Sequence, residues 1–311
     1  MLRALYFWLR GLARLPAAYG RRGSLAATVR HDLLLPTMLR RADRARNEAL
    51  IRGRCATVPL PGNDALCWCL GRYRMFVATD DIGFSTFMMM DGYWELPMTE
   101  AVVACLRPGM HVVDCGANLG YYSLLMADLV GEEGRLHAFE PNPDMARRLR
   151  QSISVNGFAG RTTIHEIALA DAPGTAAFSV PAGEPKNGHV GAAGSHAEAG
   201  DDGPRRFDVR VDTLDAMLGD SPVDLIKIDV EGAEERLWDG MQGILARGAP
   251  LTIFLEFTPD RYADPAAFLD RIAAAGFTFA RITEKAGVVA TSRAEILAQP
   301  GNHDQMLVLT R

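Results

Sequence analysis

HVVDCGANLGYYSLLMADLVGEEGRLHAFE, residues 111–140, is the stretch whose reading decides the fold. An apolar strand through Val112 and Val113 ends in Asp114, and the chain then turns through Gly116, Asn118 and Gly120. It enters a helix carrying Leu124, Leu125 and Ala127 and returns on a second strand that ends in Glu140. Strand, tight turn, helix and strand make the repeating unit of a parallel sheet flanked by helices. Glycines let the backbone approach a ligand with no Cβ in the way, and the free N–H groups at the helix start lie beside it. A carboxylate at the end of each strand points into one crevice, outside the carboxyl ends of the sheet.

Spacing separates the two cofactors that suit such a crevice. A dinucleotide turn wants glycine at its first, third and sixth positions, whereas counting from Gly116 gives Gly116, Asn118 and Tyr121. An acid at the first strand end is also a poor neighbour for a diphosphate. S-adenosylmethionine has no phosphate and carries a cationic sulfonium and an α-amino group, so Asp114 suits it. Glu140 suits its ribose hydroxyls, each carboxylate giving charge-assisted hydrogen bonds.

Working outward, the third strand spans residues 162–169, and the ALAD that closes it, beginning at Ala168, borders the adenine. Asn142, Pro143 and Gly157 cap the helix before it. Residues 175–180 and 207–211 read as further strands around a Gly- and Ala-rich loop, residues 182–204, with His189 and His196 as exposed loop residues. A loop of that length inside a domain is either disordered or a substrate lid. DLIKIDV, residues 224–230, is a central strand that delivers Asp229 to the crevice; Lys227, mid-strand, neutralises a neighbouring carboxylate. Glu231 and Gly232 open the next helix, residues 251–257 bring Glu256 to the same rim, and a helix from Asp264 to Gly276 precedes two last strands.

VVDCGANLGYYSLLMA, HAFEPNP and IKIDVEGAE together resemble the FkbM family of S-adenosylmethionine-dependent methyltransferases, over about residues 80–310. The resemblance implies the class I methyltransferase fold, a doubly wound, mostly parallel seven-stranded sheet. The activity it implies is methyl transfer to a hydroxyl of a sugar, glycan or secondary metabolite. The cofactor-binding residues are then Asp114, Gly116, Asn118, Gly120, Tyr121, Glu140, Ala168 and Asp229. Asp229 and Glu231 are the catalytic candidates, Asp229 at the cofactor's methionine end or the acceptor hydroxyl, Glu231 as a base for the acceptor. Glu95 and Glu256 are substrate candidates; Glu95 equally suits the cofactor's amino end or a plain helix-start carboxylate. Acids on adjacent strand ends also suit a divalent ion, but no spacing demands one and no metal is assigned. A lipid or nitrogen acceptor, or a cofactor-binding scaffold subunit of a membrane-associated glycan pathway, remain alternatives.

Charge is divided unevenly along the chain. Residues 1–54 hold twelve arginines against Asp32, Asp43 and Glu48, an excess of nine positive charges in a chain of net charge −5, so the remainder carries −14. An acidic catalytic part argues against nucleic acid as substrate. The first 54 residues read as an Arg-rich helical arm whose start sets Arg3, Arg10 and Arg14 against Leu2, Leu5, Leu9 and Leu12. Such a helix either lies in an anionic membrane surface or packs on protein, including a second copy. It falls short of the roughly 20 apolar residues of a membrane span. Residues 55–98 read as a small β-rich cap, with a helix starting near Thr99, and residues 99–311 as the methyltransferase domain. Cys55, Cys67, Cys69, Cys105 and Cys115 lack the partners of a zinc site and read as reduced thiols. The expected setting is a bacterial cytoplasm, with peripheral contact at the inner face of the membrane as the alternative.

Overall fold

Proline and glycine punctuate the described part of the chain into short elements. The computed structural model describes residues 36–181, 188–190 and 205–311, and these described residues fall in one compact unit. The segment of the arm before residue 36 and most of the 182–204 loop, His196 included, lie outside the described residues. Two 3-10 turns, Pro36–Met38 and Arg41–Asp43, lead into α1 (Arg44–Arg54). A three-stranded antiparallel sheet follows, formed by β1 (Thr57–Pro59), β2 (Asp64–Cys69) and β3 (Tyr73–Ala78), with Cys67 opposite Met75. Alternation buries Ala65, Cys67 and Cys69 on one face of β2.

After α2 (Phe84–Met90), α3 (Leu96–Cys105) begins earlier than Thr99, because Glu95 takes a left-handed conformation (φ 39°) and Pro97 suits the first turn. The signature stretch then forms β4 (His111–Cys115), α4 (Tyr121–Leu129) and β5 (Arg135–Phe139). Asn142 caps α5 (Pro143–Val155) by accepting from the Asp144 N–H at 3.0 Å. β6 (Thr162–His165) completes this half of the sheet.

The expected third strand over residues 162–169 divides in two. β6 ends at His165, whose carbonyl takes the Glu140 N–H, and β7 (Ala168–Leu169) leaves for a separate sheet. There β7 pairs in parallel with β10 (Arg205–Asp212), which is antiparallel to β8 (Gly174–Val180). β9 (His189–Val190) adds to β8, so His189 stands in a strand rather than in a bare loop. The two extra strands read from the sequence therefore build their own four-stranded sheet over the core of Phe178, Val180, Val209 and Val211.

The chain returns through α6 (Leu214–Leu218) to β11 (Leu225–Ile228), then α7 (Glu234–Asp239), α8 (Gln242–Ala246) and β12 (Thr252–Phe257). Glu231 and Gly232 do not open a helix: their φ values, 53° and 97°, make a left-handed turn, and α7 starts at Glu234. The buried Glu234 carboxylate fixes that turn by accepting the Val230 and Gly232 N–H groups. α9 (Pro265–Ala274), β13 (Thr278–Thr283), β14 (Gly287–Ala290), α10 (Arg293–Leu297) and β15 (Gln305–Thr310) close the fold.

The main sheet has the order β14-β13-β15-β12-β11-β4-β5-β6, parallel from β12 to β6 and antiparallel around β15. It is the doubly wound sheet expected, with β14 hairpinned on as an eighth strand. All four residues of β11 are buried, as a central parallel strand requires. Val112, Leu136 and Phe254 pack one face against α3 and α4; Val113, Ile226 and Ile253 pack the other with Leu237 and Phe268. Strand order reverses between β4 and β11, which places the crevice at their carboxyl ends.

Candidate functional site

A cavity of about 650 Å³ opens there. Gly116, Asn118, Gly120, Tyr121, Glu140, Ala168, Asp229, Glu231, Glu95 and Glu256 all line it. Of the sequence-derived site residues, Asp114 alone does not. It is fully buried behind the wall, its Oδ2 accepting from Ser123 Oγ at 2.6 Å and its Oδ1 left without a hydrogen-bond donor, 3.7 Å from Lys227 Nζ. Burial raises its proton affinity, opposed by Lys227 and the Ser123 hydroxyl. The reading of Asp114 as a direct cofactor ligand is corrected: it anchors Lys227, and the acid that reaches the cavity from this group is Asp229.

Lys227 lies between the two acids, 3.0 Å from Asp229 Oδ2, and over the Tyr122 ring at 5.5 Å. Burial pulls its proton affinity down, but Asp229 and Asp114 outweigh that and the net shift is upward. The ammonium thus stays charged in a fully buried position, as expected only for a paired cation.

The turn after β4 owes its glycines to the protein itself. A Cβ on Gly116 (φ 77°) would stand 1.8 Å from the Asp229 carbonyl oxygen, and one on Gly120 (φ 95°) would stand 2.4 Å from Leu149 Cδ1. The first contact locks the β4 turn against the end of β11. Asn118 is itself left-handed, at φ 51°. Tyr121 lines the cavity, and its hydroxyl lies 3.0 Å from Thr99 Oγ1.

Glu140 is only 6% exposed and is held by two backbone donors, Asn118 N at 2.7 Å and Asn142 N at 2.8 Å. Burial pushes its pKa up to about 7 against those bonds. Each oxygen keeps a further lone pair for hydroxyl donors. Beside it Phe139, Met145, Ile167, Leu169 and Phe178 form an apolar slot. A flat purine in the slot, a ribose at Glu140 and a cationic amino acid end near Asp229 match this donor set, so the residues fit S-adenosylmethionine.

Arg261, also in the lining, bridges two carboxylates, Glu231 at 2.9 Å and Glu256 at 2.7 Å. Burial, then Asp229 and Glu231, push Glu256 up to about 9 against the pull of Arg261. Glu95 accepts from the Tyr122 hydroxyl at 3.3 Å. Arg261, Asp304 and Trp94 line the cavity and were not picked out from sequence as site residues. Trp94 neighbours Glu95 and was visible only as an aromatic; nothing in local spacing distinguishes Arg261 or Asp304. Among the described residues no group of three or more His, Cys, Asp or Glu is arranged to hold a metal ion, and no helix is long and apolar enough to cross a membrane.

A 54-residue segment is 41% identical to a protein-L-isoaspartate O-methyltransferase of Aeropyrum pernix, over 17% of this chain and 21% of that enzyme. A 67-residue segment is 37% identical to the enzyme of the same name in Ignicoccus hospitalis, over 22% and 31%. The chain thus matches less than a third of the length of these curated relatives. Among solved structures, methyltransferase FkbM from Methylobacillus flagellatus KT aligns over 69% of this chain and 54% of its own, at 17% identity and a TM-score of 0.39. The family profile of the methyltransferase FkbM domain matches residues 114–279, just over half of the chain. The chain belongs to the FkbM methyltransferase family.

Proposed function

We propose that the chain is an S-adenosylmethionine-dependent methyltransferase that methylates a hydroxyl oxygen of a sugar, glycan or secondary metabolite. The observation that carries this reading is the set of carboxylates lining the cavity, Asp229, Glu231 and Glu256, the last two bridged by Arg261. When bound, the cofactor supplies an electrophilic methyl group. Glu140 holds the ribose hydroxyls and the slot takes the adenine. Asp229, kept in place by Lys227, faces the amino acid end or the acceptor.

An alcohol is a weak nucleophile at neutral pH and gains from a base within reach. Glu231 was the base read from sequence, and its carboxylate is engaged by Arg261. Glu256, which burial pushes up to about 9, holds a proton at neutral pH, so Glu231 is the base of that pair. Arg261 orients both side chains. The ring of Trp94, braced edge-on by Phe84 and Phe87 at 5.3 Å each, stands next to Glu95 and suits the apolar face of a sugar ring.

Exposed Ile82, Phe87 and Met90, on or beside the helix whose Phe84 lines the cavity, favour a second reading in which the acceptor carries a lipid tail. Calorimetric titration with S-adenosylhomocysteine, and with NADH for comparison, tests the cofactor. Micromolar binding of the first alone is expected; binding of NADH alone, or of neither by a folded chain, refutes the reading.

A further inference from the structure

A second cavity, of about 370 Å³, adjoins the first and shares Glu95, Glu256 and Asp304 with it. Pro97 and Met98 from the start of α3, Ile282 from the end of β13 and Met306 from β15 give it apolar walls. Arg281 is the one lysine or arginine lining it among the described residues. Asp304 is exposed and fixed by Thr258 Oγ1, 2.6 Å from its Oδ1.

We infer that this second cavity seats the methyl acceptor and that it takes an uncharged hydroxylated ring, with Asp304 as a specificity-determining residue. The inference rests on the cofactor reading of the first cavity and names the substrate class for it. A transferase must bring its acceptor to the reacting end of the cofactor site, and three shared carboxylates mark where these two spaces meet. A sugar ring has an apolar C–H face and a belt of hydroxyls. Met98, Ile282 and Met306 match the face, Glu95 and Asp304 accept from the hydroxyls in charge-assisted bonds, and the Glu256 carboxyl adds a neutral partner. An anionic ring meets Glu95, Glu284 and Asp304 in the same cavity. Like charges there oppose its entry.

The test uses the full chain. S-adenosylhomocysteine affinity is measured first, and its failure to bind overturns the cofactor reading before any sugar is added. Saturation-transfer NMR on the saturated chain then compares methyl glucoside with glucuronate. Methyl glucoside is expected to bind with millimolar affinity and glucuronate far more weakly. His303→Trp, at an exposed position lining the second cavity and not the first, is expected to abolish sugar binding with S-adenosylhomocysteine affinity within about twofold of wild type. Asp304→Asn is expected to weaken glucoside binding about 10-fold, the loss of one charge-assisted hydrogen bond. Unchanged glucoside binding in both variants, tighter binding of glucuronate, or no sugar signal from the saturated chain overturns the proposal.

Discussion

Replacing Gly116 with alanine puts one methyl group where the backbone of a neighbouring strand end already stands. The new Cβ would lie 1.8 Å from the Asp229 carbonyl oxygen and 2.9 Å from its carbon, where real Cβ atoms keep at least 3.0 Å. The two loops must therefore part by about 1.2 Å. That movement breaks the Asp229 N–H bond to the Cys115 carbonyl, 3.2 Å long, at a loss of about 1 kcal/mol. A Cβ at φ 77° adds about 1–2 kcal/mol, and displaced packing brings the total to roughly 2–4 kcal/mol. A domain of ordinary stability, about 5–15 kcal/mol, still folds with that loss. Asp229 moves with the loop, so S-adenosylhomocysteine affinity falls by about 10-fold or more, one lost charge-assisted contact. Urea denaturation followed by circular dichroism reads the first effect and calorimetry the second. Gly157→Ala is the control: at φ 78° it has the same backbone preference but nothing within 4 Å of the new Cβ. It should lose only about 1–2 kcal/mol and bind as wild type. If the two variants lose equal stability and Gly116→Ala binds the ligand normally, the close approach of the two strand ends is not what the glycine serves.

Lys227→Met leaves Asp114 and Asp229 facing each other with no counter-charge, since both lie within 3.7 Å of the lost ammonium; a loss of about 3–5 kcal/mol is expected by urea denaturation, and a loss below about 1 kcal/mol would show that the buried pair needs no cation. For Glu140, raised from 4.5 to about 7, the folded chain holds a proton that the unfolded chain has released, so its contribution to stability is full below pH 4.5 and is lost as pH rises through 7. Denaturation midpoints across that range should fall less steeply in Glu140→Gln than in wild type, whereas wild-type affinity for S-adenosylhomocysteine should rise over the same range as the stronger ionised acceptor forms; parallel slopes in the two proteins would place the proton elsewhere.

The fold was legible wherever the information is local. Glycines between apolar runs, Asn142 ahead of Pro143 and the apolar run before Asp229 are each written within a few residues, and each element appeared near its expected place. What failed was pairing. Residues 162–169 are continuously β-prone, and nothing among them says that the chain leaves one sheet at His165 and enters another at Ala168. That depends on β10, some 40 residues later, offering Val211 to Ala168. The turn at Glu231 and Gly232 was likewise read as a helix start, since a buried Glu234 carboxylate holding two N–H groups looks in sequence like an ordinary first-turn acid.

The charges of the site follow the same division. Lys227 on β11 and Asp229 just past its end are two residues apart, so their pairing could be read from the side-chain alternation of an extended chain. Arg261 comes from a 3-10 turn after β12 and meets Glu231, which arrives from the end of β11. No spacing rule connects them. Yet the two cations act on one electrostatic problem. Lys227 compensates Asp114 and Asp229, Arg261 compensates Glu231 and Glu256, and Asp229 is close enough to Glu256 to raise its proton affinity. With Glu256 holding its proton at neutral pH, Asp114, Asp229 and Glu231 stand against the two cations and leave this group one negative charge in excess. That balance suits a cationic sulfonium and a departing hydroxyl proton equally, whereas a dinucleotide's diphosphate would be repelled, which is the same conclusion that the glycine spacing of the β4 turn reaches from backbone geometry alone.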